Sequence, residues 1–520
     1  MSLLGSFNAP PPPGFVTACE RNGELVTVTA EEAVAVVSMQ GLDYPQFQVS
    51  REMLARPNLS KESARMAFIE HNETLWKRTL HAWYEHGIAG VLEEFSNHKQ
   101  GNMVSKISLR LLALVRWSSS LHGSLFPHLT MSQEDMIAEF SRNLDWRNSP
   151  IRVFAWHSTT VKYAVCLQDN SIRVYRQKSD IVPLLKHKLQ KGVADLAWRP
   201  FSSSILAVAC QTCILIWHVD PMSLSTRPST GSVQVLSHSG HCPITSIAWC
   251  PKGGALISAS PADTSMMVWD VGLETCVPLC RLGGGGVSLL HWSPDGGKLF
   301  AATPSSMFRV WDCQSWTCER WSKLIGQCQT ACWSPDSSVL LFATAKEPII
   351  YSLTFGKAVN EKSFVIGGSK MAIASINLEE VVMDLGDETV RFGGQVQSLC
   401  WDPTGERLAV HFKENTGSPE LVLVFRTKLH PVLEVVPCGF VQGQVGEIPN
   451  VISFQPRFAH GAVLTVVWSS GRVSFIPLYF VSERGIHLHN NIYLDNGFSG
   501  HGHSKSLYSE SLQDFERGTV

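Results

Sequence analysis

A tryptophan-x-proline signature recurs along this chain at spacings that few folds can accommodate. It is strict at Trp292-Ser-Pro294, Trp333-Ser-Pro335 and Trp401-Asp-Pro403, and looser at Trp198-Arg-Pro200, Trp249-Cys-Pro251, Phe454-Gln-Pro456 and, without the proline, Trp156-His-Ser158. Successive anchors lie 42, 51, 43, 41, 68 and 53 residues apart. The shortest of these match the roughly 40–45 residues of a four-stranded propeller blade. A second aromatic follows most anchors at a nearly fixed offset: Tyr175, Trp217, Trp269, Trp311 and Tyr351 come 19, 19, 20, 19 and 18 residues later. Phe425 and Phe475 continue the series less regularly.

Between the two aromatics each unit reads turn, apolar run, turn, apolar run, as in 205–209 followed by 214–217. Runs that are continuous rather than alternating belong to strands buried on both faces, as in a blade sandwiched between neighbours. The turns carry matching chemistry, with proline early and glycine at the positive-φ position in Pro294-Asp-Gly-Gly297 and Pro403-Thr-Gly405. The expected fold is all-β, a seven-bladed WD40-type β-propeller over 149–482 with an N-terminal α-helical extension. The interval of 68 residues from Trp333 to Trp401 exceeds one blade and falls short of two. It is read as an insertion near 355–390, with an eight-bladed ring as the alternative. The last unit has room for about three strands, so an N-terminal strand such as Glu24–Thr29 is the candidate to close the ring.

Trp269-Asp270 and Trp311-Asp312 end their runs with the pair that names the WD repeat, and these units resemble that family. One blade is nearly complete, with His241, Ser258 (or Ser260), Asp263 and Trp269 resembling the family's hydrogen-bonded tetrad. Asp169 stands at the same offset before Tyr175, whereas Gln211, Ser305 and Ala345 occupy the aspartate position elsewhere. The tetrad and the aromatic anchors are read as structural.

Outside the ring, residues 1–59 form a partly extended N-terminal segment. Over 60–148 the periodicity turns helical: Ile69, Trp76, Leu80 and Trp83, then Met103, Ile107, Leu111 and Leu114, recur at helical spacing. Ser132 and Asp135 form a capping-box arrangement before Met136, Ile137 and Phe140. Residues 483–520 read as a polar, solvated tail whose His487, His489, His501 and His503 lack acidic or cysteine co-ligands. The aliphatic run 111–115 is far short of the roughly 20 residues of a membrane-spanning helix. The start carries no basic and apolar leader pattern, so a reducing compartment is expected. Its 14 cysteines are therefore expected as buried thiols, Cys210 and Cys213 included.

Longer stretches carry a more specific resemblance. RWSSSLHGSLFPHL at 116–129, RVFAWH from Arg152, CILIWHVDPMSLSTRPS from Cys213, FRVWDCQSWTCERW from Phe308 and IPLYFV from Ile476 are similar to segments of the aladin family of WD-repeat nucleoporins. That resemblance implies a non-enzymatic scaffold subunit of the nuclear pore complex, held at the nuclear envelope through a transmembrane nucleoporin. It further implies a part in nucleocytoplasmic transport and an association with spindle poles in mitosis. The candidate docking surface is Arg116, Trp117, Leu121, His122, Leu125 and Phe126, together with one propeller rim.

Other chemistries find little support. With 43 basic and 45 acidic residues, no net field favours nucleic acid. GxSxG, HExxH and GxxxxGK[ST] are absent, and Gly283–Gly286 lacks the lysine of a phosphate loop. No catalytic residue, cofactor or metal is expected, and no carboxylates cluster at strand starts as a propeller hydrolase would need. The alternative is a WD-repeat substrate receptor of a ubiquitin ligase, which often carries Trp-Asp-x-Arg; here the two pairs run on as Val271-Gly272 and Cys313-Gln314.

Overall fold

The continuous apolar runs become inner strands with no wet face. Every residue of Lys162–Leu167, Val339–Thr344, Arg407–Phe412 and Ala462–Trp468 is buried. The computed structural model describes residues 2–21, 23–33, 44, 47–49, 129, 131–220, 225–280, 285–355, 371–384, 389–413 and 420–479. These form antiparallel four-stranded sheets in succession, at 151–185, 195–236, 246–280, 289–322, 328–377 and 396–442. A seventh blade is built from Pro449–Phe454, Ala462–Trp468 and Val473–Tyr479.

Among the described residues, seven apolar clusters lie one at each seam between adjacent blades, including the seam of the seventh with the first. Blades of this kind are stable only stacked, since each face of each sheet needs a neighbour to cover it. Burying one leucine-sized side chain contributes about 1.5–3 kcal/mol, so each seam supplies much of the ring's stability.

Closure differs from the sequence expectation. The strand paired with Val473–Tyr479 is Phe15–Arg21, running parallel to it through Glu20 opposite Leu478 and Arg21 opposite Tyr479. Glu24–Thr29 is one strand further out, paired antiparallel with Phe15–Arg21. The burial patterns give the reason. Phe15–Arg21 has five consecutive buried residues, as a sandwiched strand requires, whereas Glu24–Thr29 is nowhere fully buried, as suits an edge.

Among the described residues the long fifth interval holds no eighth blade. Ile373–Asn377 is the outer strand of blade five, and Val381–Asp384 with Thr389–Phe392 forms a separate two-stranded hairpin. Within the expected insertion, Ile373–Asn377 thus belongs to blade five's own edge.

Two further pieces of the N-terminal segment rivet seams. Leu4 and Phe7 are buried between blades five and six, with Phe7 against Phe425 and Phe440. Tyr44, Phe47 and Val49 pack at the seam of blades seven and one, where Phe47 stacks on Tyr175 at 4.3 Å and Val49 N–H donates to Gly471 O at 3.1 Å. Gly471 sits at φ +83°, and a Cβ there would meet the Val49 carbonyl oxygen.

Of the expected helical extension, the described part is Gln133–Phe140. Ser132 caps it by accepting the Asp135 N–H at 3.2 Å. The other helical spacings, and the tail from 481 onward, lie outside the described residues.

Candidate functional site

Three polar arrangements hold the ring, and two surfaces face its axis and one rim. The first arrangement is in blade three. Asp263 Oδ2 lies 2.7 Å from His241 Nδ1, His241 Nε2 lies 2.8 Å from Ser258 Oγ, and Trp269 Nε1 donates to Ser258 Oγ at 2.8 Å. A neutral imidazole satisfies all three contacts: Nδ1–H donates to the carboxylate, the serine hydroxyl donates to Nε2, and the indole donates to the serine oxygen. Burial pushes the Asp263 carboxyl up, but the bonds from His241 and the Ser265 N–H bring it below the ordinary value. Ser258 is fully buried between its two partners, so the relay ties the turn to the inner strands.

Blade two completes the same join differently. Gln190, 27 residues before Trp217 as His241 is 28 before Trp269, accepts the Trp217 indole at 3.2 Å and donates to Asn170 O and Leu185 O. Sequence reasoning passed over Gln190 because the residue type differs; its offset was the available signal. In blade one Asp169 bonds Ser171, with no histidine between it and Tyr175.

The second arrangement is the anchor series, which joins blade to blade. Trp198, Trp249, Trp292 and Trp333 each donate the indole N–H to the backbone oxygen just before the preceding anchor, namely Ala155, Ala197, Ala248 and His291, at 3.1–3.3 Å. Trp156 donates instead to the hydroxyl of Thr465 in blade seven, whereas Trp401 donates to that of Thr427 within its own blade. Phe454, which has no donor, fills its place by packing. Tyr175, Trp311 and Tyr351 sit on the third strands, with Tyr351 donating to Glu347 Oε2 at 2.8 Å.

After four of the seven anchors the next residue has a task the sequence reading did not assign. Buried His157, Ser293, Ser334 and Asp402 bond the backbone of the hairpin that follows, for example Lys298 N–H to Ser293 Oγ at 2.8 Å and Val339 N–H to Ser334 Oγ at 2.9 Å. The recurring polar residue inside Trp-x-Pro was its trace in the sequence.

The third arrangement is an ion pair at the ring closure. Arg407 of blade six donates Nε to Glu20 Oε2 at 2.9 Å, and both side chains are almost wholly enclosed. Burial alone would depress the guanidinium; the Glu20 bonds raise it above its ordinary value.

The axial channel, of about 380 Å³, is lined by inner strands of the blades. Residues 140–143 lie at one mouth, where the start of the inner strand binds Asn143 Nδ2 through Ile151 O at 2.8 Å. The Gln133–Phe140 helix is fixed there by Ile137 packing with Trp146 and Ala194, and by Gln211 Nε2 donating to Gln133 Oε1 at 2.9 Å. Enclosure raises Asp195, against the opposing charge of Arg142, and pushes His291 well below its ordinary value. Among the described residues no group of three or more His, Cys, Asp or Glu could hold a metal. Cys210 and Cys213 are both buried at the seam of blades one and two, in the hairpin turn where Cys210 N–H donates to Cys213 O.

At the opposite ends of the inner strands, blades six, seven and one enclose a groove of about 660 Å³. Its walls include Tyr44, Phe458 and Tyr479, with Arg457 and His460 beside them. The predicted docking residues Arg116, Trp117, Leu121, His122, Leu125 and Phe126 lie outside the described residues. Among the described residues no helix is long and apolar enough to cross a membrane.

With this geometry in place, comparison with known proteins is decisive. The aladin seven-bladed propeller family matches residues 132–479. The chain belongs to the aladin family. Aladin from Arabidopsis thaliana is 31% identical over 336 residues, covering 60% of this chain and 72% of that protein. The aladin match begins at the N-cap of the channel-capping helix and ends with the last strand of blade seven, so it takes in the helix as well as the blades. Solved structures that resemble the chain include the Cps50 (Swd1) β-propeller domain of Myceliophteria thermophila, at 14% identity and TM-score 0.47, covering 63% of this chain and 96% of that one. A chain of the mitotic checkpoint complex matches at 16% identity and TM-score 0.46, covering 64% and 87%.

Proposed function

We propose that this aladin-family protein is a non-enzymatic scaffold of the nuclear pore complex, held at the nuclear envelope through a transmembrane nucleoporin and contributing to nucleocytoplasmic transport. The observation that carries the reading is the family match over residues 132–479, which takes in the strands of all seven blades other than those of the N-terminal segment. The geometry supports it: the tetrad and the anchor indoles are used in orienting turns and joining blades, and the rigid ring they hold presents loops. The tetrad and the aromatic anchors act structurally, and partners dock on one rim and on the segment containing Arg116–Phe126. The protein meets other nucleoporins and no nucleic acid, and the same contacts extend to the cytoplasm and spindle poles in mitosis.

The test is proximity labelling and co-purification from nuclear envelopes, comparing the full chain with one carrying Leu121→Glu and Phe126→Glu. The full chain should recover nucleoporins and the double variant should lose the transmembrane one. A full chain that stays diffuse and recovers none overturns the reading. Removing residues 1–148 would be uninformative, since it also removes the strand that closes the ring.

A further inference from the structure

The groove opposite the channel-capping helix has features that the anchors and the closure do not explain. It is formed where the first hairpin turns of blades six and seven, through Pro403 and Pro456, meet Val161 of blade one. At about 660 Å³ it falls within the size of sites that take a ligand or a few side chains. Its aromatic wall is held in place from behind: Tyr44 packs on Trp156 and Phe475, at 5.9 and 4.8 Å between ring centroids, and bonds the Gln455 side chain. Phe458 stands edge-on to His460 at 5.8 Å and lies 6.1 Å from Tyr479. Such a wall is ordered before any partner arrives, so binding loses little side-chain freedom there.

Its charge has one sign. Arg457 and His460 are exposed in its lining, and among the described residues no carboxylate lines the groove. Among the described residues neither makes an ion pair, in contrast to Arg407 and Arg472, which meet Glu20 and Glu447. Aromatic residues beside an unpaired arginine are the composition of protein recognition sites, where aromatic and arginine anchors carry most of the binding energy.

We propose that this groove binds a short acidic linear segment of a partner protein, seating an apolar side chain against Tyr44, Phe458 and Tyr479 and a carboxylate on Arg457. The proposal deepens the scaffold reading by giving the rim a partner chemistry. The guanidinium fork matches a carboxylate in two parallel bonds, and a lysine-bearing segment would meet like charge.

The experiment uses the full chain and an array of short synthetic peptides that permute phenylalanine, leucine and proline among glutamates, each with a lysine-for-glutamate counterpart, read by fluorescence anisotropy. Glutamate peptides should bind saturably and weaken with salt. Phe458→Ala and Arg457→Glu should each weaken them about tenfold or more, and Arg457→Glu should improve the lysine counterparts. Arg457 is exposed and Phe458 is half-buried against the seam of blades seven and one, so thermal unfolding of each variant fixes a temperature at which both are folded and binding is compared there. Binding that ignores peptide charge, that both variants leave intact, or that never saturates overturns the proposal. None of these outcomes touches recruitment to the nuclear envelope, whose failure would overturn the scaffold reading with peptide binding intact.

Discussion

Ser258 shows how one small buried side chain can serve two larger ones. It accepts the Trp269 indole and donates to His241, and both partners are enclosed. Ser258→Ala should therefore leave two buried groups unsatisfied, each costing about 1–3 kcal/mol, and urea unfolding should show the loss while Ser258→Thr retains most of the stability. Trp249→Ala removes packing and the bond to Ala197 O together, and the truncation should cost about 3–5 kcal/mol in the same assay. Trp249→Phe, which loses the donor and part of the ring volume but keeps an aromatic, should cost less than alanine; an equal loss would mean that a phenyl ring's packing contributes nothing to the joint between blades. At this scale the aromatics were legible because their spacing repeats. Gln190 and the polar residue inside Trp-x-Pro were not, because a position served by glutamine, histidine, serine or aspartate leaves no constant letter.

Among the elements, the N-terminal segment acts as a clasp over four blades. Leu4 and Phe7 hold the seam of blades five and six, Phe15–Arg21 extends blade seven, and Tyr44 to Val49 covers the seam of blades seven and one. The Glu20–Arg407 pair ties the closing strand to blade six. Glu20→Ala should cost about 3–5 kcal/mol, because it leaves an uncompensated guanidinium in the interior, whereas Glu20→Leu with Arg407→Met should recover much of that loss. Thermal unfolding of the single and double variants separates these outcomes. A protein lacking residues 2–29 should melt markedly lower and associate in solution, since the Val473–Tyr479 edge and its seam would be exposed; size-exclusion chromatography showing a stable monomer would contradict this. The need for a closing strand was legible from the short last unit. Which of two adjacent strands fills it was decided by burial on both faces, a property of the assembled seam.

For the molecule as a whole, acid stability reports on the buried ring. Burial pushes His411 from 6.5 to about 3, so it remains neutral in the fold while it protonates in the unfolded chain. The unfolded state then binds the extra proton between pH 6.5 and 3, and stability falls as the pH drops through that window, by about 1.4 kcal/mol per pH unit for one histidine. His291 in the channel wall acts in the same direction. Destabilisation should therefore begin near pH 6.5, above the carboxylate range, and His411→Gln should flatten the slope between pH 6.5 and 5 by one proton. Parallel slopes for the two proteins in chemical unfolding at each pH would rule the histidine out.

Repetition of local pattern was enough to specify blades, because each four-stranded unit writes its own aromatics and turns into a stretch of about 40 residues. The aladin resemblance was likewise carried by contiguous segments and needed no contacts. Closure, the parallel partner of the last strand, the helix at the channel mouth and the cationic aromatic groove had to await the folded ring. Each joins residues tens to hundreds of positions apart, and pairing at such distances is set by which surfaces remain uncovered once the blades have stacked.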